Sequence, residues 1–293
     1  MVDTPPAVLR LGSRRFDPDT QAVMAIVNRT PDSFYDRGAT FDAGAALERV
    51  DAAVAEGADI VDIGGVKAGS GAEVSVAEEL RRTADFVALV RSRHPGLVIS
   101  VDTWRSEVAR VLCRQGADLI NDTWAGADPR VAQVAAECGV GLVCSHTGGL
   151  PPRTDPHRVR YTDVVAEVVA GTSSLAERAL RAGVRRDGIV VDPTHDFGKN
   201  TWHSLELTRR LDEVVSTGWP VLVALSHKDF IGETLDLPPE RRGTGTLAAT
   251  AVAAWHGARL FRAHHVRETR EVLDMVASIR GIRPPAVPRR GLA

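Results

Sequence analysis

Asp102, Asn121, Asp192, Lys228, Arg262 and His264 are the side chains of this sequence whose types and spacing point to chemistry, because each stands at or just beyond the end of a short apolar run. Two carboxylates and an amide can take N–H donors in pairs, while a lysine, an arginine and a histidine can hold an anion such as a phosphate group. Arg262 and His264 are two apart, so on a strand both face the same side. Asn28, Asp62 and His146 close apolar runs in the same way. A blander reading stands beside this one: strand-end carboxylates also cap the helices that follow them, and an isolated arginine and histidine also fit a surface cation and a core imidazole.

The elements that must position these groups repeat eight times. Runs rich in Val, Ile and Leu cover 22–28, 58–65, 97–103, 117–123, 140–147, 188–194, 220–226 and 258–264. Runs of this length without polar alternation read as strands buried on both faces, as parallel pairing requires. Between them lie segments with apolar positions three and four apart, such as 45–56 and 266–279, which predict amphipathic crossover helices. Eight such repeats predict a single α/β domain, a (β/α)8 TIM barrel over residues 21–281, preceded by an extension (1–20) and followed by a disordered tail (282–293). In that fold the site lies beyond the carboxyl ends of the strands, where phosphate groups are commonly held after the last two. Long loops at that rim are expected at 29–42, 65–76, 148–161 and 229–243, placed to gate or complete a site.

Composition narrows the function. The 293 residues suit one barrel with extended loops. A net charge of −2 provides no global field to recruit nucleic acid or an anionic membrane, so the expected partner is a small molecule or a second copy. Cys113, Cys138 and Cys144 are scattered without metal-ligand spacing and point to buried thiols in a reducing compartment. The amino terminus lacks a signal-peptide core and no run approaches the ~18 apolar residues of a membrane span; a cytoplasmic protein is expected.

The segments NRTPDSFYDRG (28–38), VDIGG (61–65), SVDT (100–103), GADLINDTWAG (116–126), DPTHDFGK (192–199), SHKDFIG (226–232) and RAHHV (262–266) resemble the dihydropteroate synthase family, in order and at seven of the eight strands. The resemblance implies a condensation in which a dihydropterin carrying a CH2-pyrophosphate transfers to the amine of para-aminobenzoate. It further implies that Asp102, Asn121 and Asp192 read the pterin, that Lys228 contacts the pterin and its neighbour, that Arg262 and His264 hold the pyrophosphate, that Asn28 ligates Mg2+, and that the protein is a homodimer through its outer helices. Phe197 and Phe230 are candidates for apolar walls, or for simple core.

The departures from the family pattern fall at the same mouth. Where the family reads D-I-G-G-E-S-T-R-P-G, this chain has Val66, Lys67, Ala68 and Gly69 after Gly65. The side chain of Ala68 cannot donate a hydrogen bond, and Lys67 cannot reproduce a guanidinium fork. Thr194 and Asp196 replace two glycines, His227 and His265 replace an arginine and an aspartate, and Arg29 replaces a small apolar residue. The pattern predicts a synthase homologue that keeps the pterin-reading pocket with weak or no condensation. Two alternatives are an active synthase tolerant of its second loop and a non-enzymatic pterin or pyrophosphate-binding regulator. A third is a metal-dependent hydrolase built on His146, Asp192, His195, His264 and His265, although the first strand ends Ile26, Val27, Asn28 rather than in the His pair such barrels use.

Overall fold

All eight apolar runs are strands of one parallel sheet. The computed structural model describes residues 8–30, 42–154 and 159–290. The barrel strands are β3 (Ala22–Asn28), β4 (Ile60–Gly64), β5 (Val98–Asp102), β6 (Leu119–Asp122), β7 (Gly141–Ser145), β8 (Ile189–Asp192), β9 (Leu222–Val223) and β10 (Leu260–Ala263). Each pairs with its sequence neighbour, and β10 pairs with β3. The last seam, between β8 and β9, is made by a parallel bridge of Val191 with Val221, where Val191 N donates to Pro220 O at 2.9 Å. The molecule is therefore a TIM barrel.

Helices α1 (Ala43–Ala55), α2 (Val76–Arg93), α3 (Ser106–Arg114), α4 (Arg130–Cys138), α5 (Val164–Ala182), α6 (Thr201–Arg209), α7 (Leu211–Val215), α8 (Asp229–Leu235), α9 (Gly243–Trp255) and α10 (Val266–Ile279) form the connections. Their starts follow ordinary capping chemistry: Asp42 accepts from Gly44 and Ala45 N–H, and Asp163 from Val165 and Ala166 N–H. In α9 the buried positions are Thr246, Ala249, Thr250, Ala253 and Ala254, small side chains that let the helix lie close to its neighbours.

Strand alternation divides the apolar side chains into two bodies. Val61, Ile63, Ile99, Val101, Ile120, Leu142, Val191 and Phe261 face outward and pack with the helices. Ala22, Met24, Ile60, Val98, Leu119, Val143, Val190, Leu222 and Leu260 fill the lower interior of the barrel. The extension that the sequence offered no structure for contributes to this inner body. Strands β1 (Leu9–Leu11) and β2 (Arg14–Phe16) form an antiparallel hairpin whose Leu9, Leu11 and Phe16 are buried among the inward residues. Its turn uses Gly12 at φ +55, where a Cβ would stand 2.3 Å from the Asp118 carboxylate, so only glycine fits. The hairpin plugs the amino-terminal end of the barrel, leaving the carboxyl end open. Residues 282–290 are exposed and carry neither helix nor strand. The loop expected over 29–42 lies mostly outside the described residues, as do 155–158 of the loop expected over 148–161.

Candidate active site

Alternation along the strands decides which run-ending side chains reach the barrel mouth. Counting in twos from the inward residues Met24, Ile60, Val98, Leu119, Val190 and Leu260 places Asn28, Asp62, Asp102, Asn121, Asp192, Arg262 and His264 on the inner face. His146 has the opposite parity to inward Val143 and lies against α5, where a Cβ on Gly171 would meet its ring at 2.7 Å. His195 is buried against Thr208 (3.1 Å) and the Phe230 ring. The hydrolase reading is thus corrected: three of its five residues, His146, His195 and His265, do not line the mouth, and among the described residues no group of three His, Cys, Asp or Glu is placed to hold a metal.

A cavity of about 490 Å³ opens at this end, lined among others by Asn28, Asp102, Asn121, Asp192, Lys228, Arg262 and His264. The size is that of a small-molecule pocket. The six side chains with which the sequence reading began, together with Asn28, therefore share one cavity, which Asp62 and His146 do not line.

Its floor is a buried ionic network centred on Asp62, a residue that ends a run but to which the sequence assigned no binding role. Arg262 Nε donates to Asp62 at 2.6 Å, Asn121 Nδ2 at 3.1 Å and Ser100 Oγ at 2.6 Å. Arg262 also reaches Asp102 at 3.4 Å, and Thr123 Oγ1 donates to the same carboxylate at 3.0 Å. Arg262, expected at a pyrophosphate, is therefore bound to the carboxylates of the floor. Burial, then the charge of Asp62, raises the Asp102 carboxyl well above the usual carboxylate range against the pull of Arg262. Burial alone pushes Asp192 up to about 6, opposed by the Thr194 N–H and by Lys228. For Arg262 burial works against the charge, but Asp62 and Asp102 outweigh it. The Oδ1 of Asn121 is buried and accepts no hydrogen bond, which leaves an acceptor for a ligand donor on the floor.

Above the floor the cations are committed. Lys228 Nζ donates to His195 O at 2.7 Å and lies 4.2 Å from the centre of the Phe197 ring. Lys199, to which the sequence assigned no role, donates to the carbonyls of His146, Phe197 and Thr194 at 2.8, 3.0 and 3.2 Å. Those three bonds use every donor of an ammonium, although burial lowers the group to about 7. No periodicity marks Lys199; its signal is its place at the end of the family-like DPTHDFGK segment, in a polar G-K-N step ahead of a helix. His264 Nδ1 is 3.1 Å from Ser226 Oγ, and burial keeps the imidazole neutral, far below its ordinary range.

The departures from the family put side chains on backbone that glycine adopts freely. Thr194 and Asp196 sit at φ +52 and +68, the left-handed region that glycine adopts freely. Each costs about 1–2 kcal/mol relative to glycine there. Thr194 N donates to Asp192 Oδ1 at 2.7 Å. Asp196 accepts from Ser204 Oγ at 3.1 Å and from Phe230 N at 3.3 Å. In the second loop Lys67, Ala68 and Gly69 line the cavity, and the loop's carbonyls are gripped by three arginines from elsewhere. Arg82 holds Gly65 O (2.9 Å), Arg153 holds Gly69 O and Ala72 O (3.2 and 2.7 Å), and Arg105 holds Val74 O (2.8 Å).

The family model for pterin binding enzyme matches residues 24–264. The inactive dihydropteroate synthase 2 of Mycobacterium leprae (strain TN) is 60% identical over 279 residues, covering 94% of this chain and 96% of that protein. The dihydropteroate synthase of Escherichia coli (strain K12) is 38% identical over 87% of this chain and 90% of its own length. Among solved structures, the dihydropteroate synthase of Thermus thermophilus in complex with 4-aminobenzoate superposes with a TM-score of 0.83 at 40% identity, covering 93% of this chain and 99% of that one. A family model matched from residue 24 to 264, relatives matched over nearly the whole chain and the same barrel make this protein a member of the pterin binding enzyme family and a homologue of dihydropteroate synthase.

Proposed function

We propose that this protein binds a pterin or pterin pyrophosphate on the floor formed by Asp102, Asn121 and Asp192, and condenses it with para-aminobenzoate weakly or not at all. The observation that carries the reading is the split between the two halves of one cavity. Below, carboxylates and an amide with an open acceptor match the donor and acceptor edge of an aminopyrimidinone. Above, the facing loop presents Ala68 and Gly69, and Lys228 and Lys199 are bound to protein carbonyls, while Arg262 is held in the floor by Asp62 and Asp102. A hydrogen bond to a charged group is worth about 1.5–3 kcal/mol, so a transition state without two such contacts forms orders of magnitude more slowly. In this reading Lys228 polarises the pterin ring carbonyl, and Arg262 and His264, with no second-loop partner, are the residues left to stabilise a departing pyrophosphate. The 60% identity to a protein named inactive supports the same direction.

Mg2+ fits the donor set in part. Asn28 lines the cavity, and a Cβ on Gly64 would stand 3.9 Å from both Asn28 Oδ1 and Asp102 Oδ2, so a carbonyl and a carboxylate oxygen both lie beside Gly64. Asn28 would hold the ion together with phosphate oxygens and water, and the ion would offset pyrophosphate charge. A homodimer through α9 and α10 is part of the proposal, supported by the exposed Val252, Trp255, Met275 and Ile279 on those helices. A cytoplasmic location is supported by three free thiols; among the described residues no helix is long and apolar enough to cross a membrane.

The test is an assay with dihydropterin pyrophosphate, Mg2+ and para-aminobenzoate, run beside calorimetric titration with the pterin alone. Pterin binding with turnover far below about 1 per second is the expected outcome. Turnover within the ordinary enzymic range would establish the active-synthase alternative, and absence of pterin binding would remove the floor assignment altogether.

A further inference from the structure

The side of the cavity formed by the residues after β8 and by α8 carries carboxylates that 4-aminobenzoate, itself an anion, would have to face. Asp196, Asp229 and Glu233 all line it. Asp196 stands where the family has glycine and places its carboxylate on Phe230 N at 3.3 Å and Ser204 Oγ at 3.1 Å. It fills from within the protein the N–H donor that an incoming carboxylate could use at that wall. Glu233, one turn along, accepts from Thr201 Oγ1. Asp229 is paired with Arg242, but Arg242 lies behind it, 10% exposed against 60% for the aspartate, so the carboxylate is what the opening meets. The nearby ammonium groups of Lys228 and Lys199 offset Asp196 in part, but Lys199 has all three donors on carbonyls, Lys228 donates to His195 O, and Arg262 is bound to Asp62 and Asp102, so the wall itself presents carboxylate oxygens. Lys67, on the opposite wall, is the remaining cation in the lining. That the same cavity takes a ligand is supported independently by Asn121 Oδ1, 3% exposed at the residue level and accepting no hydrogen bond.

We infer that the subsite beside the pterin floor selects a neutral or cationic amine over an anionic one, and that Asp196 is the residue that decides this against 4-aminobenzoate. The inference rests on the pterin reading and names the class of second ligand for that pocket. Like charges within a few ångströms near a surface repel by an amount equivalent to about tenfold or more in affinity.

The full chain is first titrated with 6-hydroxymethylpterin, which tests the floor by itself. The pterin-saturated protein is then titrated with 4-aminobenzoate, with neutral aniline and with 4-aminobenzylamine, whose side amine is cationic. The expected order is 4-aminobenzylamine tightest and 4-aminobenzoate weakest by about tenfold or more. Asp196→Gly, which also relieves the left-handed backbone, should narrow that gap, and Glu233→Gln should narrow it further. Equal or tighter binding of 4-aminobenzoate by the unaltered chain overturns the inference, as does an unchanged preference in Asp196→Gly. Failure of the first titration would instead count against the pterin reading.

Discussion

At the scale of single residues the site is a set of buried charges whose protonation is set by desolvation. Asp192, raised by burial to about 6, must be ionised to accept two N–H bonds from a pterin. Pterin affinity should therefore be constant above about pH 7 and fall as pH drops through about 6, close to tenfold per unit below it. Calorimetry from pH 5 to 8 checks this, and a flat profile would show that Asp192 does not read the ligand in its charged form. For stability the sign is opposite: the raised carboxyl favours the fold below its ordinary 3.8, and that contribution is lost as pH rises through about 6. Asp102, Asn121, Asp192, Lys228, Arg262 and His264 were legible as candidates because chain position alone puts them at strand ends. Asp62 was visible at the end of its run but not as the centre of the network, because that role exists only when Arg262, Asn121 and Ser100 converge on it from three other strands.

At the scale of elements the eight strands were legible, since continuous Val, Ile and Leu runs have few other uses. The hairpin β1–β2 was not. Each of its strands has three residues, too short for a pattern, and its apolar side chains gain a partner only when the barrel end is present. Leu11→Ala should cost about 2–5 kcal/mol, the range for emptying a fully buried leucine site, read as a lower urea midpoint at unchanged slope. A loss below about 0.5 kcal/mol, the scale of ordinary surface substitutions, would show that the hairpin does not plug the barrel. The second loop presents the reverse case. Its sequence shows what it lost, Thr and Arg replaced by Ala68 and Gly69, and the structure shows what holds it instead: Arg82, Arg153 and Arg105 on its carbonyls. A loop fixed by side chains from three other segments has less need of a ligand to order it.

At the scale of the whole molecule, α9 and α10 pack on one another and expose Val252 and Trp255, three apart, and Met275 and Ile279, four apart. Residues so spaced form a continuous stripe on each helix. Four exposed apolar side chains on adjacent helices form the kind of patch that marks an interface. Sedimentation should give the dimer mass for the unaltered chain and the monomer mass for Trp255→Glu combined with Met275→Glu, with the circular dichroism spectrum retained. A monomer mass for the unaltered chain would exclude the homodimer.

The linear sequence by itself determined the repeat of strand and helix, hence the barrel and the rim that carries chemistry, because burial of parallel strands writes itself into local composition. It also displayed the substitutions that set this chain apart from its active relatives. Only the tertiary structure decided which strand-end groups face inward, that His146 and His195 do not, and that Lys228, Lys199 and Arg262 are bound to protein oxygens. Those outcomes depend on how side chains turn in the folded barrel and on partners as far as 33 residues away for Lys228 and 200 for Arg262, which no window of sequence records.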